Sequence, residues 1–194
     1  MAMGVMITAS HNPVQDNGFK FFTSLGTKLN DSEEAKIENM ILQNHRPKID
    51  QYSKSLEIID SYLDHLMNFF PKDLLKNKIV VIDLSNGATQ KTTPRLFKKL
   101  GAEVRVYNDG SGEINAGVGS EYPSMMTRKV KELKADFGIA HDGDGDRVIF
   151  CDSAGNVVPG DKILGLLAIN EKQQHRLINN GLVGNFGWPI IMSS

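Results

Sequence analysis

Residues 137–150 read Phe137-Gly138-Ile139-Ala140-His141-Asp142-Gly143-Asp144-Gly145-Asp146-Arg147-Val148-Ile149-Phe150: two short apolar runs around an acidic, glycine-rich loop. Short β-branched or aromatic runs bounded by turn residues predict buried strands. Working backward, Pro123 opens a helix with Met126, Val130 and Leu133 at helical spacing, preceded by a Gly/Asn/Ser-rich loop over 108–120. Before that come a strand at Val104–Tyr107, a helix with Pro94 in its first turn and Gly101 past its end, the turn Asn86-Gly87 and the strand Ile79-Val80-Val81-Ile82. Proline at a helix start and glycine past its end are the expected punctuation. The strand–helix alternation predicts an α/β fold with a mixed, largely parallel sheet covered by helices.

The flanks are less regular. Forward, Gly160–Asn170 is helical by spacing, and an apolar run over 182–191 has no further partner in sequence. Backward, Leu56, Ile59, Leu63, Leu66, Met67 and Phe70 form one greasy helical face that Pro71 stops. Residues 46–51 are polar, contain Pro47 and read as a linker. Asp31 followed by Glu34 predicts a capped helix over about 31–44. Strands are expected at residues 4–9 and 19–22, the first ending in the turn cluster Ser10-His11-Asn12-Pro13.

The composition narrows the classes. The chain has 194 residues, 40% hydrophobic and 23% charged, with a formal net charge of −1. Those values exclude disorder and collagen-like repeats. Near-zero charge gives no electrostatic reason to expect nucleic acid or an anionic membrane. No window approaches a membrane span and no secretory signal is evident. The single cysteine, Cys151, excludes an intramolecular disulfide and a cysteine-rich zinc site. A cytoplasmic setting is the expectation.

The acidic loop is the first candidate site. Asp142, Asp144 and Asp146 recur every second residue, which in extended backbone aims them to one side, and the glycines between let the loop curl. Converging carboxylates repel, and a divalent cation removes that cost. All-oxygen ligands favour Mg²⁺ over zinc. An EF-hand does not fit: with Asp142 as position one, position six is Arg147 and position twelve Ser153.

Ser10 is the second, placed where a strand leaves the core, with His11 beside it and Lys20 nearby. No Gly-x-Ser-x-Gly elbow supports a serine hydrolase, and no P-loop supports a nucleotide site. A phosphorylated Ser10 would carry about −1.5 to −2 charges. Mg²⁺ held by Asp142, Asp144, Asp146 and an oxygen of that phosphoserine would stabilise a transferring phosphoryl group. Arg147 adds a phosphate contact, and Lys20 or His11 assists the proton at the hydroxyl.

These residues resemble the α-D-phosphohexomutases. The resemblance rests on Ala9-Ser10-His11-Asn12-Pro13 with Asp16-Asn17-Gly18-x-Lys20, on Asp142-Gly143-Asp144-Gly145-Asp146-Arg147, on Asp83-x-x-Asn86-Gly87-Ala88 and on Gly160-Asp161-Lys162. It covers most of residues 4–184. Phe21-Phe22, Gly26-Thr27-Lys28-Leu29 and Ile114-Asn115 are most similar to the bacterial glucosamine-phosphate branch. The resemblance implies Mg²⁺-dependent exchange of phosphate between the 6- and 1-positions of a hexose phosphate. Ser10 gives its phosphate, a hexose bisphosphate turns over, and phosphate returns. In that branch glucosamine 6-phosphate becomes glucosamine 1-phosphate.

Members of that family are four-domain chains. Their Phe-Gly-Thr-x-Gly-x-Arg-Gly-like, Gly-Glu-x-Ser-Gly-His-like and Arg-x-Ser-Gly-Thr-Glu-Pro-like stretches do not occur here, and Gly184–Pro189 departs from the family continuation. The expected organisation is therefore the end of a first domain (1–52, phosphoserine loop), a second domain (53–156, metal loop) and the start of a third (157–194), incomplete at both ends. Such a chain is expected to turn over little or no substrate alone and to self-associate through exposed apolar edges. The alternatives are a phosphomannomutase or phosphoglucomutase, a haloacid-dehalogenase-type phosphatase using Asp142 or Asp144 as nucleophile, and a non-catalytic product that only binds Mg²⁺ or phosphate.

Overall fold

The computed structural model describes residues 3–8, 12, 15–43, 56–176, 181–183 and 189–191. Strands β1 (Gly4–Ile7) and β2 (Phe19–Phe22) form an antiparallel pair, followed by helix α1 (Asp31–Leu42). Helix α2 (Ile59–Met67) precedes a five-stranded sheet built from β3 (Ile79–Asp83), β4 (Glu103–Tyr107), β5 (Phe137–His141), β6 (Val148–Asp152) and β7 (Val157–Val158). Helices α3 (Thr93–Lys99) and α4 (Ser124–Leu133) fall between its first three strands, and α5 (Gly160–Gln173) follows β7. Strands β8 (Gly181–Val183) and β9 (Pro189–Ile191) pair antiparallel. The apolar run expected to lack a partner thus pairs with itself.

The large sheet has the order β4-β3-β5-β6-β7. β3 is parallel to both β4 and β5, whereas β5–β6 and β6–β7 are antiparallel. The sheet is mixed because only six residues separate β5 from β6, and a parallel return needs a crossover of a dozen or more. β3 lies between helices on both faces, which explains why Val80, Val81 and Ile82 are all fully buried. Alternation along the strand divides them. Val81 packs with Met126, Val130, Ala135, Ala140 and Cys151 beneath α4. Val80 and Ile82 pack with Leu84, Ala102 and Ile139, joined by Phe97 of α3. Each fully buried Val or Ile contributes about 1.5–3 kcal/mol.

Two local readings shift. The α1 cap is Asn30, not Asp31: Asn30 Oδ1 accepts the Glu33 N–H at 3.1 Å, and Glu33 Oε2 accepts the Asn30 N–H at 3.0 Å. The greasy face over 56–70 contributes a shorter helix, with Leu56 and Phe70 outside α2 and exposed, and Leu63 its buried anchor. α2 is tied to α3 by ion pairs of Asp60 with Arg95 and of Asp64 with Lys99. The expected turn Ser10-His11-Asn12-Pro13 and linker 46–51 lie outside the described residues, apart from Asn12. Among the described residues no helix is long and apolar enough to cross a membrane.

Candidate metal centre

β3 is flanked on one side by the strand that follows it and on the other by the strand after that. Ligands of open α/β sheets bind at the carboxyl ends of the strands around such a reversal. Here those ends are Asp83 on β3 and His141 on β5.

Asp83 is completely buried and organises the floor. Its Oδ1 accepts the Ser85 N–H at 3.0 Å and the Asn108 Nδ2 at 2.9 Å, and its Oδ2 accepts the Gly119 N–H at 3.1 Å. Ser85 and Asn86 both hold φ of +53°, a left-handed conformation that costs about 1–2 kcal/mol in a residue with a side chain. The contacts of Asn86 offset that cost. Its Oδ1 accepts from Gly110 and Gly112, and its Nδ2 donates to the Glu113 carbonyl. Ser85 Oγ donates to Asn115 Oδ1 at 3.0 Å. The loop after β4 is thereby pinned to the turn after β3.

The acidic loop lies on that turn as the connection of the β5–β6 hairpin, closed by the pair His141 and Val148. The Ala88 N–H donates to the Gly143 carbonyl at 2.8 Å. A Cβ on Gly87 would meet that carbonyl oxygen at 2.2 Å, and one on Gly143 would meet Asn115 Nδ2 at 2.6 Å. Backbone therefore packs directly on backbone. Within the loop, Asp142 Oδ1 accepts the N–H groups of Gly145 and Arg147, each at 3.1 Å, and Asp142 Oδ2 accepts Arg147 Nε at 2.7 Å. The first of these contacts curls the loop, with Gly145 at φ +76°. The three carboxylates converge through this curl rather than through extended-strand alternation.

Asp142, Asp144 and Asp146 each offer an oxygen, and these lie within 4.8 Å of one another. Oxygens around a six-coordinate Mg²⁺ at about 2.1 Å are spaced ~3.0–4.2 Å apart. A small inward adjustment therefore makes the trio one face of such a shell, and the hard oxygen donor set fits Mg²⁺. Burial ranges from nearly complete at Asp142 to exposed at Asp146, so one side stays open.

The electrostatics show the strain of the arrangement. Burial pushes the Asp142 carboxyl up, but hydrogen bonds from the Arg147 side chain and backbone outweigh it and leave the group below the usual carboxylate range. Asp146 is raised, foremost by its hydrogen bond to the Asp142 carboxyl, then by burial and by Asp144. Arg147 is 45% exposed and also reaches Glu121, with Nη1 at 3.2 Å from Oε1.

Asp142, Asp144, Asp146 and Arg147 are thus together. Lys20 lies on β2, in the separate two-stranded sheet, opposite Met6. Ser10 and His11 lie outside the described residues. Sequence reasoning assigned no role to Asp83 or His141. Asp83 had a visible signal, an aspartate ending a fully apolar strand. His141 is partly buried, with Nε2 3.3 Å from Thr93 Oγ1, and burial pushes its pKa below the ordinary imidazole value. Burial likewise pushes the Cys151 thiol up, so it is a core residue rather than a nucleophile.

Residues 1–48 match the family described as phosphoglucomutase/phosphomannomutase, alpha/beta/alpha domain I, and residues 60–155 match its alpha/beta/alpha domain II. The chain belongs to the phosphoglucomutase/phosphomannomutase family. Its relatives include proteins named phosphoglucosamine mutase, the branch the sequence resembles. The one from a Nitratiruptor species is 44% identical over 93% of this chain and 43% of its own length. That of Campylobacter fetus subsp. fetus is 45% identical over 85% of this chain and 40% of its own, and that of Helicobacter pylori (strain G27) 41% over 93% and 43%. The chain therefore spans about two-fifths of the length of these relatives. Among solved structures, a phosphoglucomutase/phosphomannomutase family protein from Burkholderia thailandensis superposes with a TM-score of 0.71 at 24% identity, over 89% of this chain and 38% of that one. A chain from Thermus thermophilus gives 0.69 at 23%, covering 89% and 41%. At these identities the likeness concerns the fold.

Proposed function

We propose that this chain carries the phosphoryl-donor and cation-binding parts of a hexose-phosphate mutase, with glucosamine 6-phosphate and glucosamine 1-phosphate as the substrate pair. The observation that carries the reading is the convergence of Asp142, Asp144 and Asp146 at the carboxyl ends of β3 and β5. The names of the 41–45% identical relatives support the choice of sugar. In this reading residues 1–52 and 53–156 are the donor and cation domains, and 157–194 open a third.

Ser10 is the phosphate carrier. Asp142, Asp144 and Asp146, with a phosphoserine oxygen, hold Mg²⁺, which when bound neutralises charge on the phosphoryl group. Asp142 is kept ionised by Arg147 and two backbone N–H groups, so a ligand oxygen is ready at neutral pH. Arg147 has five donors in a rigid fork, two of them engaged by Asp142 and Glu121, which leaves capacity for a phosphate at the open side. Lys20 or His11 assists the movement of the Ser10 proton. Phosphoryl transfer needs mostly positioning and charge neutralisation, and these groups supply both.

The test is intact-mass and phosphopeptide analysis of the chain and of Ser10→Ala. A stable phosphate on Ser10, absent from Ser10→Ala, is expected. Phosphate on Asp142 or Asp144 would instead support the haloacid-dehalogenase-type reading. A coupled assay for glucosamine 1-phosphate is expected to show little or no turnover by this chain alone.

A further inference from the structure

Glu121 ends the short 3-10 turn Gly119–Glu121, whose first N–H is held by the buried Asp83. Its Oε1 lies 3.2 Å from Arg147 Nη1. The same guanidinium gives Nε to Asp142 Oδ2 at 2.7 Å and stands 3.8 Å from Asp146 Oδ1. Arg147 is therefore a positive charge set against two of the three carboxylates that form the candidate cation site. A cation taken up by those carboxylates shares Asp142 with Arg147 and meets a like charge close by. An anion that keeps the guanidinium paired lowers that opposition.

We propose that Glu121 is a positioning residue for the cation site. It holds Arg147 through Nη1 while Asp142 takes Nε, and balances the guanidinium charge, so that Asp142 is available to a divalent ion. The inference rests on the metal reading of Asp142, Asp144 and Asp146, and adds a residue that is not itself a ligand. A purely structural role fits poorly. Glu121 is 56% exposed, and the contacts of the Asp142 carboxylate to the Gly145 and Arg147 N–H groups do not involve it.

The experiment is calorimetric titration of the full 194-residue chain with Mn²⁺ alone. The variants are E121Q, E121D, R147Q, the double variant E121Q/R147Q and D142N, each shown by a cooperative metal-free melt to be folded at the titration temperature. E121Q is expected to weaken Mn²⁺ binding about fivefold, a modest effect because the pair is solvent-screened. E121D restores part of the loss. R147Q still binds Mn²⁺, and in that background E121Q changes nothing, because the two residues act as one unit. Equal weakening by E121Q in both backgrounds would mean a general field effect and would overturn the inference. So would wild-type affinity in E121Q, or loss of binding in R147Q. If D142N abolishes binding while E121Q is silent, the metal site stands and this inference alone fails. If the wild-type chain takes up no Mn²⁺, both fail.

Discussion

Gly87 and Gly143 meet where two loops touch through their backbones. The 2.2 Å approach of an added Cβ on Gly87 to the Gly143 carbonyl oxygen leaves no rotamer to absorb it. Gly87→Ala is expected to destabilise the fold by about 1–3 kcal/mol, the range for overpacking a tight site. Urea denaturation against Gly26→Ala checks it. Gly26, unlike Gly87, has positive φ, at +75°, but an added Cβ meets nothing within 4 Å, so only the backbone cost of about 1–2 kcal/mol applies. Gly87→Ala is expected to weaken Mn²⁺ binding as well, and Gly26→Ala to leave it alone.

Asp146 carries the opposite signature. Its raised pKa means that the folded state binds a proton there more readily than the unfolded chain. Its contribution is therefore favourable below the ordinary carboxylate value of about 3.9 and is lost as pH rises through its raised value. At neutral pH the ionised Asp146 carboxylate is a burden beside its acidic neighbours. Asp146→Asn is expected to raise the metal-free melting temperature at pH 7 and low salt, with the gain fading below about pH 4, and to lose divalent binding. Thermal melts across pH with and without Mn²⁺ test both halves.

Between elements, Asp136 fastens the start of β5 to the start of β3. Its Oδ1 accepts Lys78 Nζ and its Oδ2 the Ile79 N–H, both at 2.8 Å, while its own N–H reaches the Ile79 carbonyl. Lys78, then the Ile79 amide, hold its carboxyl below the usual range. A lowered folded pKa gives stability that is complete above the unfolded value, about 3.9, and disappears as pH falls through the folded one. The melting-temperature gap between the wild type and Asp136→Asn should be flat above about pH 5 and close on acidification. A gap that widened in acid would contradict the assignment. Much of this layer was legible in the sequence: β2 ran as read, and β3, α3, β4, α4 and β5 fell within a residue or two. The capping box was read one residue late because Asn30-Asp31-Ser32-Glu33-Glu34 offers two overlapping cap patterns, and only geometry selects Asn30. The antiparallel β5–β6 return was implicit in a six-residue gap. The role of Asp83 was not legible, because its partners Asn108 and Gly119 belong to loops whose closure no periodicity encodes.

Across the whole molecule, apolar exposure decides association. The register of β1 and β2 puts Val5 opposite Phe21 and Ile7 opposite Phe19, on one face. Val5, Ile7 and Phe19 are 52%, 70% and 62% exposed. A contiguous apolar face of this kind favours association. Sedimentation velocity is expected to show concentration-dependent self-association that Ile7→Lys with Phe19→Lys reduces; an unchanged distribution would place the contact elsewhere. The convergence of the acidic trio was legible because its residues are neighbours in sequence. A meeting of that trio with Ser10 would join distant segments, and Ser10 lies outside the described residues.

The hydrogen bond from Ala88 to Gly143 offers a reporter already built into the backbone. That amide belongs to one loop and its acceptor to the other, so its solvent exchange slows or quickens as the acidic turn settles or lifts. A single resonance in an isotope-exchange spectrum can then register loading of the centre at a residue that carries no charge and touches no ion.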